Sequence, residues 1–189
     1  MPMPTLSDLI EQKKEAILSR WFDLILATYP KETALLWKHQ RNQFTNPVGN
    51  RIRDGIQGIL TCLRAEANGS YHEQAAVFLD DIVRVRAVQD FKPSEAVAFI
   101  YLLKKVLRED LWAEIKTADL FVELLALESK IDSLALLSLD IYAKCREKLY
   151  EMRIKEVKNV QKRLLERANI ICGYSDAQSQ AGDDEDVPK

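Results

Sequence analysis

The sequence predicts an all-α fold, a helical bundle that ends in a long C-terminal exit helix. Three observations carry this. Apolar residues recur three and four positions apart along most of the 189-residue chain. Glycine and proline number only six each, too few for a chain built on tight turns. Between Lys116 and Cys172 there is neither, so nothing in that stretch compels a helix to stop.

The elements follow in order. Thr5-Leu-Ser-Asp8 reads as a helix cap, and Leu9, Ile10, Ile17, Trp21, Leu24 and Ile25 continue the apolar face to Tyr29-Pro30, which ends it. A short helix is expected over Glu32 to Lys38. Asn46-Pro47 opens the next: Asn46 accepts from an early amide, and Pro47 suits a first position whose N–H has no partner. That helix ends before Asn68-Gly69-Ser70. Another is expected from Tyr71 to Val88, with Phe78, Leu79, Ile82 and Val85 inward. Asp90 to Ser94 breaks the chain and starts the following helix. Ala96 to Leu103 is apolar or Tyr throughout, which places it at the centre. The chain from Lys116 onward is too long for an ordinary single helix, so a break is expected near Glu128 to Ser133.

From Tyr150 a seven-residue register appears. Tyr150, Val157, Leu164 and Ile171 fall at one seam position, and Ile154, Gln161 and Ala168 at the other. Gly173 onward is polar and acidic and predicts a disordered tail. The expected organisation is a helical domain over 1–149, a coiled-coil-like exit helix over 150–172, and an acidic tail over 173–189.

Composition excludes several function classes. Net charge is −2, so the whole chain is not a polyanion binder. Cys62, Cys145 and Cys172 are far apart and form no CxxC pair, which argues against a disulfide framework or zinc site and for a reducing compartment. No apolar run approaches the roughly 20 residues that span a bilayer. Met1-Pro-Met-Pro4 shows no leader peptide, so a cytoplasmic protein without membrane partners is expected.

Catalytic candidates are few. His39 and His72 both fall at helix ends, neither in a central apolar segment where haem iron needs its ligand. No metal, cofactor or catalytic set is expected, and the chain reads as a non-enzyme. Lys144-Cys-Arg-Glu-Lys148 surrounds Cys145 with cations that favour the thiolate, making Cys145 the candidate redox residue of an alternative accessory role; packing at a helix seam is the plainer reading. The excess of Lys and Arg over 144–167 suggests a DNA-reading helix, but Glu147, Glu151, Glu156 and Glu166 interrupt it, and an ordinary solvated face is preferred over nucleic acid. Asp80, Asp81, Arg84, Arg86, Gln89 and Asp90 form the candidate ligand or junction site. Arg84 and Arg86 cannot both face water at helical spacing, so one should be partly buried and paired with Asp80, Asp81 or Asp90.

Asn46-Pro-Val-Gly49, the run Arg84-Val-Arg-Ala-Val-Gln-Asp-Phe-Lys-Pro-Ser94 before an apolar helix, Ile131-Asp132 leading to Asp140-Ile-Tyr142, and upstream Trp21 and Tyr29-Pro30 together resemble the N-terminal domain of the RsbR/RsbRD family, the RsbT co-antagonists of the bacterial stressosome. The resemblance covers residues 7 to 170. It implies a globin-like helical domain without haem, a dimer, and a signal passed through the exit helix into a STAS domain. No STAS-like segment follows within these 189 residues. The function expected is therefore a sensory or regulatory signal-transduction module, homodimeric through Tyr150, Ile154, Val157, Leu164, Ala168 and Ile171, with a regulatory protein partner.

Overall fold

The structure, a computed structural model, describes residues 4–40, 42, 44–64 and 71–180, with side chains described as far as Ala168. Among these residues there are seven helices and no strand. They are α1 (Leu6–Gln12), α2 (Lys14–Leu26), α3 (Lys31–His39), α4 (Pro47–Arg64), α5 (Tyr71–Val88), α6 (Pro93–Ala118) and α7 (Phe121–Gln180). The chain divides into two compact units, Met1–Arg146 and Glu147–Lys189, and the division falls inside α7.

Local chemistry explains most boundaries. Thr5 and Asp8 form a reciprocal capping box: Thr5 Oγ1 accepts from the Asp8 amide at 3.2 Å, and the Thr5 amide donates to Asp8 Oδ2 at 2.9 Å. One expected helix is two, because the chain turns at Lys13, whose Nζ donates to Glu114 Oε1 at 2.5 Å and to the Asp110 carbonyl at 2.8 Å. Asn46 is buried and starts α4 as its sequence suggests, accepting the Gly49 amide at 2.8 Å. Its amide nitrogen also donates to the carbonyls of Trp37 and Gln40, at 3.0 and 2.7 Å, and so ties α3 to α4. The stop expected near Asn68 lies outside the described residues.

α4 and α5 pack closely, and small residues make the approach possible. A Cβ on Gly58 would meet the Phe78 ring at 2.4 Å, and one on Gly55 would meet Ile82 at 2.8 Å. α6 runs through the middle of the first unit, with Ala96, Phe99, Ile100, Leu103, Val106 and Leu107 all buried. Trp21 of α2 is fully buried and donates its indole N–H to the Phe99 carbonyl at 2.7 Å. The all-round apolar character of Ala96 to Leu103 thus marks the central helix, although Tyr101 reaches the surface.

The break expected at Glu128 to Ser133 is absent. Its polar residues are satisfied within a continuous α7. Glu128 takes both Arg108 Nε and Nη2 of α6 at 2.6 Å, and Asp132 takes Lys104 Nζ at 2.6 Å. Ser129 and Ser133 donate to carbonyls one turn back. Ile131 and Leu134 are buried, so this stretch packs as helix. The first compact unit ends at Arg146. α7 also continues past Gly173 to Gln180, since one glycine costs a helix only about 1 kcal/mol. Of the tail expected over 173–189, residues 173–180 are therefore helical and 181–189 lie outside the described residues. No helix among the described residues is long and apolar enough to cross a membrane.

Candidate functional site

The last turn of α5 sets the site. Its buried face runs through Leu79, Ile82, Val83, Arg86 and Ala87, the three-and-four spacing that points one stripe at the core. Arg86 sits on that stripe and is fully buried. Arg84, two residues earlier, points outward and pairs with Asp80, Nη2 to Oδ2 at 2.7 Å, with Arg84 exposed and Asp80 half-buried. The sequence expectation is thus split between the two arginines: the exposed one has the carboxylate, and the buried one does not.

Arg86 is held by dipoles and rings instead. Nη1 donates to the Glu95 carbonyl and Nη2 to Thr28 Oγ1, both at 2.9 Å. Its guanidinium lies 5.2, 4.9 and 5.4 Å from the ring centres of Tyr29, Phe91 and Phe99. Such contacts are worth about 0.5–2 kcal/mol each, more when desolvated, and partly replace a counter-ion. Arg86 Nε and Tyr29 Oη are buried without a hydrogen-bond partner. Burial lowers the Arg86 pKa from its ordinary value, with nearby Tyr29 acting weakly the other way. Burial raises the Tyr29 phenol, against the pull of Arg86. Tyr29 also meets Trp37 and Phe91 edge-on, at 4.8 and 5.1 Å between ring centres.

Directly after Arg86 the chain turns. Asp90 is left-handed with φ 58°, and the Phe91 amide donates to the Arg86 carbonyl at 3.3 Å. That is a helix-ending motif in which the sixth residue bonds back to the first, and it sets Phe91 over the Arg86 side chain. Asp tolerates this backbone region better than most side chains do. α7 grips the same turn from outside. The Tyr142 hydroxyl donates to the Phe91 carbonyl at 2.5 Å. Arg146 Nη1 donates to Asp90 Oδ1 at 2.6 Å and to the Ala87 carbonyl at 3.1 Å.

Of the six junction residues expected from sequence, Arg86 and Asp90 are at this turn in defined roles. Asp80 and Arg84 form their own pair one turn earlier. Asp81 and Gln89 are exposed. Sequence reasoning assigned no role to Thr28, Tyr29, Phe91, Tyr142 or Arg146. Tyr29 and Tyr142 stood in recognisable fragments, but nothing local said that they converge.

The remaining candidates sit elsewhere. Cys145 is half-buried and packs against the core cluster, the plainer of its two readings. Cys62 is buried, and desolvation raises its thiol pKa, which disfavours the reactive thiolate. His39 lies in the last turn of α3, and His72 at the start of α5 beside the Tyr71 ring. No group of metal-ligating side chains occurs among the described residues. Along the seam, Tyr150, Ile154, Val157 and Leu164 are each at least half exposed, and Ala168 is exposed. The side chain of Ile171 lies outside the described residues.

A buried cation that fastens one turn, and a helix that clasps the turn from the other side, suit a regulatory helical domain, in which the arrangement of elements is the output. The comparison with protein families gives the same class a name. The chain belongs to the RsbT co-antagonist protein RsbRD N-terminal domain family, whose model matches residues 15–157. That family is globin-like and made of stressosome-related signalling domains. No curated protein and no solved structure matches the chain.

Proposed function

We propose that this chain is a non-enzymatic sensory or regulatory module that works as a homodimer, takes its signal in the first unit and delivers it through the exit helix. The observation that carries the reading is the double hold on the α5–α6 turn. Arg86 fastens the turn from the core, and Tyr142 and Arg146 fasten it to α7 in the last two turns of the first unit. A change in core packing that moves Phe91 is felt at Tyr142, because their hydrogen bond is short and partly buried. The uncompensated charge of Arg86 makes this a place where the core is poised rather than inert.

The stripe on the exit helix supports the dimer. In a single chain it leaves Tyr150, Ile154, Val157 and Leu164 facing water, and such stripes mark partner surfaces. Within the first unit, Val122, Leu125 and Leu136 of α7 are also well exposed. A second copy in parallel is the simplest cover for the exit-helix stripe. Burying each Leu or Val is worth about 1.5–3 kcal/mol, so charges placed in the seam should be decisive. The test is sedimentation of the wild type beside Val157→Asp with Leu164→Asp. The wild type should run as a dimer, and the double variant as a monomer of near-unchanged helical content. A wild type that is monomeric at micromolar concentration defeats the dimer.

A further inference from the structure

One side of the α6–α7 pair, within the first unit, forms a single surface. Trp112 of α6 meets Phe121 of α7 edge-on, at 5.9 Å between ring centres. Further along, Arg108 reaches Glu128 and Lys104 reaches Asp132, each at 2.6 Å. These three rungs fix two antiparallel rows of side chains. On α6, Tyr101, Arg108 and Trp112 fall within about 40° of one another, and on α7, Leu125, Asp132, Leu136 and Leu139 fall within about 60°. All are exposed except Asp132, which is half-buried. The surface therefore has one apolar end at Trp112 and Leu125, a charged middle, and a second apolar end at Tyr101, Leu136 and Leu139. Apolar ends rich in aromatic rings are the mark of a contact surface.

Two observations say what covers it. The rows carry opposite charge: α6 presents Lys104 and Arg108, and α7 presents Glu128 and Asp132. Arg108 and Asp132 each keep about half of their side chain exposed after pairing within the chain. A twofold axis along the helices sets α6 of one copy against α7 of the other, so Arg108 of each copy faces Asp132 of the other, one turn away and within an arginine's reach. A partner surface of one sign would match only one row. The second observation is area. The exit seam offers Tyr150, Ile154, Val157 and Leu164, each about half exposed, over about three heptads. Those side chains alone fall short of the about 800 Å² per partner that a stable interface buries.

We propose that a second copy of this chain covers this surface, so that the dimer has a four-helix contact between first units besides the exit seam. The inference rests on the homodimer of the proposed function and gives it a second contact. Trp112 of each copy packs toward Leu125 of the other, and Tyr101 toward Leu136, with the charged rows matched between them.

Tryptophan quenching by acrylamide in the full chain reads this surface directly. Trp21 and Trp37 are buried and Trp112 is half exposed in a single chain, so the quenchable fluorescence reports Trp112. The wild-type dimer should shield it. Val157→Asp with Leu164→Asp, which separates the copies from the exit helix alone, should make it more quenchable at the same protein concentration. A second variant acts from the other side. Leu125 and Leu136 are each about two-thirds exposed, so charges there spare the fold, and circular dichroism should match the wild type. Leu125→Asp with Leu136→Asp should raise the dimer dissociation constant at least about a hundredfold in sedimentation, with the exit seam untouched. A dimeric wild type whose Trp112 is as quenchable as in the exit-helix variant overturns the proposal and leaves the exit seam standing. So does a Leu125→Asp, Leu136→Asp variant that dimerises as tightly as the wild type. An exit-helix variant that stays dimeric with Trp112 shielded removes the seam and keeps this surface. A wild type that is monomeric overturns both.

Discussion

Arg86 shows how a buried charge can be kept without a carboxylate. Two neutral oxygens and three aromatic faces surround it, drawn from two stretches of chain, Thr28–Tyr29 and Phe91–Phe99. Replacing a buried charge by an apolar side chain of similar length is often neutral or stabilising, whereas truncation leaves a cavity. Arg86→Met should therefore change the urea-unfolding free energy by no more than about 1 kcal/mol, and Arg86→Ala should lower it by about 2–4 kcal/mol. Tyr29 supplies an independent check. Its folded pKa is raised above the ordinary value of 10.0, chiefly by burial. The neutral phenol thus favours the fold below that value, and the contribution is lost as pH rises from it towards the folded pKa. An ultraviolet titration should show a phenol ionising above the ordinary value of 10.0, and Tyr29→Phe should remove that step. At this scale the sequence singled out the right arginine pair, because two arginines two positions apart cannot share one face of a helix. It supplied the wrong counter-ion, because a carboxylate is a visible partner for a cation, whereas the seating of Phe91, five residues on, and of the distant Tyr29 and Phe99 rings around the guanidinium is set by the fold.

The helices were legible where their ends carry chemistry. Thr5–Asp8 and Asn46-Pro47 begin elements where the side chains said they would, and α6 starts within the break expected over Asp90 to Ser94. Asn46 does more than cap. Asn46→Ala removes the Gly49 contact, takes the Asn46 donor from the Gln40 carbonyl and leaves the Trp37 carbonyl to Arg53 Nη2, so its cost should be about 2 kcal/mol, against about 1 kcal/mol for Thr5→Ala in a denaturant titration. Gly58→Ala should also destabilise, by about 1–3 kcal/mol, despite the better helix propensity of alanine, because the Phe78 ring occupies the space of the new methyl. Acid exposes the cap of α1. The Asp8 carboxyl is held below its ordinary value by the backbone and side-chain bonds of Thr5. Its stabilisation is therefore present above the ordinary value of 3.8 and lost as pH falls below it, so wild type should lose more stability than Asp8→Asn between about pH 5 and 3. The continuous α7 was not legible. Glu128, Ser129, Asp132 and Ser133 look like a loop until Arg108 and Lys104 of α6 are set opposite two of them. Partners supplied by another helix leave no mark in the local pattern.

Taken as a molecule, the chain has a first unit, Met1–Arg146, with a core built around α6 to which the first part of α7 belongs, and a second unit that begins at Glu147 within the same helix. The periodicity made the all-α class and the exit helix readable, and long motif fragments made the family readable. The convergence of Thr28, Tyr142 and Arg146 on the turn that holds Phe91 and Glu95 was not readable, since their contacts span 51 to 58 residues and only the fold brings them together. On the proposed function, this turn would hand the state of the core to the exit helix. The most direct test of that claim is amide hydrogen exchange along the full chain, wild type against Arg86→Met. Arg86 donates its hydrogen bonds to Glu95 and Thr28 and none to α7, and the Tyr142 and Arg146 contacts join α7 to the turn. The account predicts faster exchange at residues 88–92 and, with it, in α7 from Tyr142 onward, with α4 unchanged. Faster exchange at the turn with α7 protected as in the wild type would contradict it.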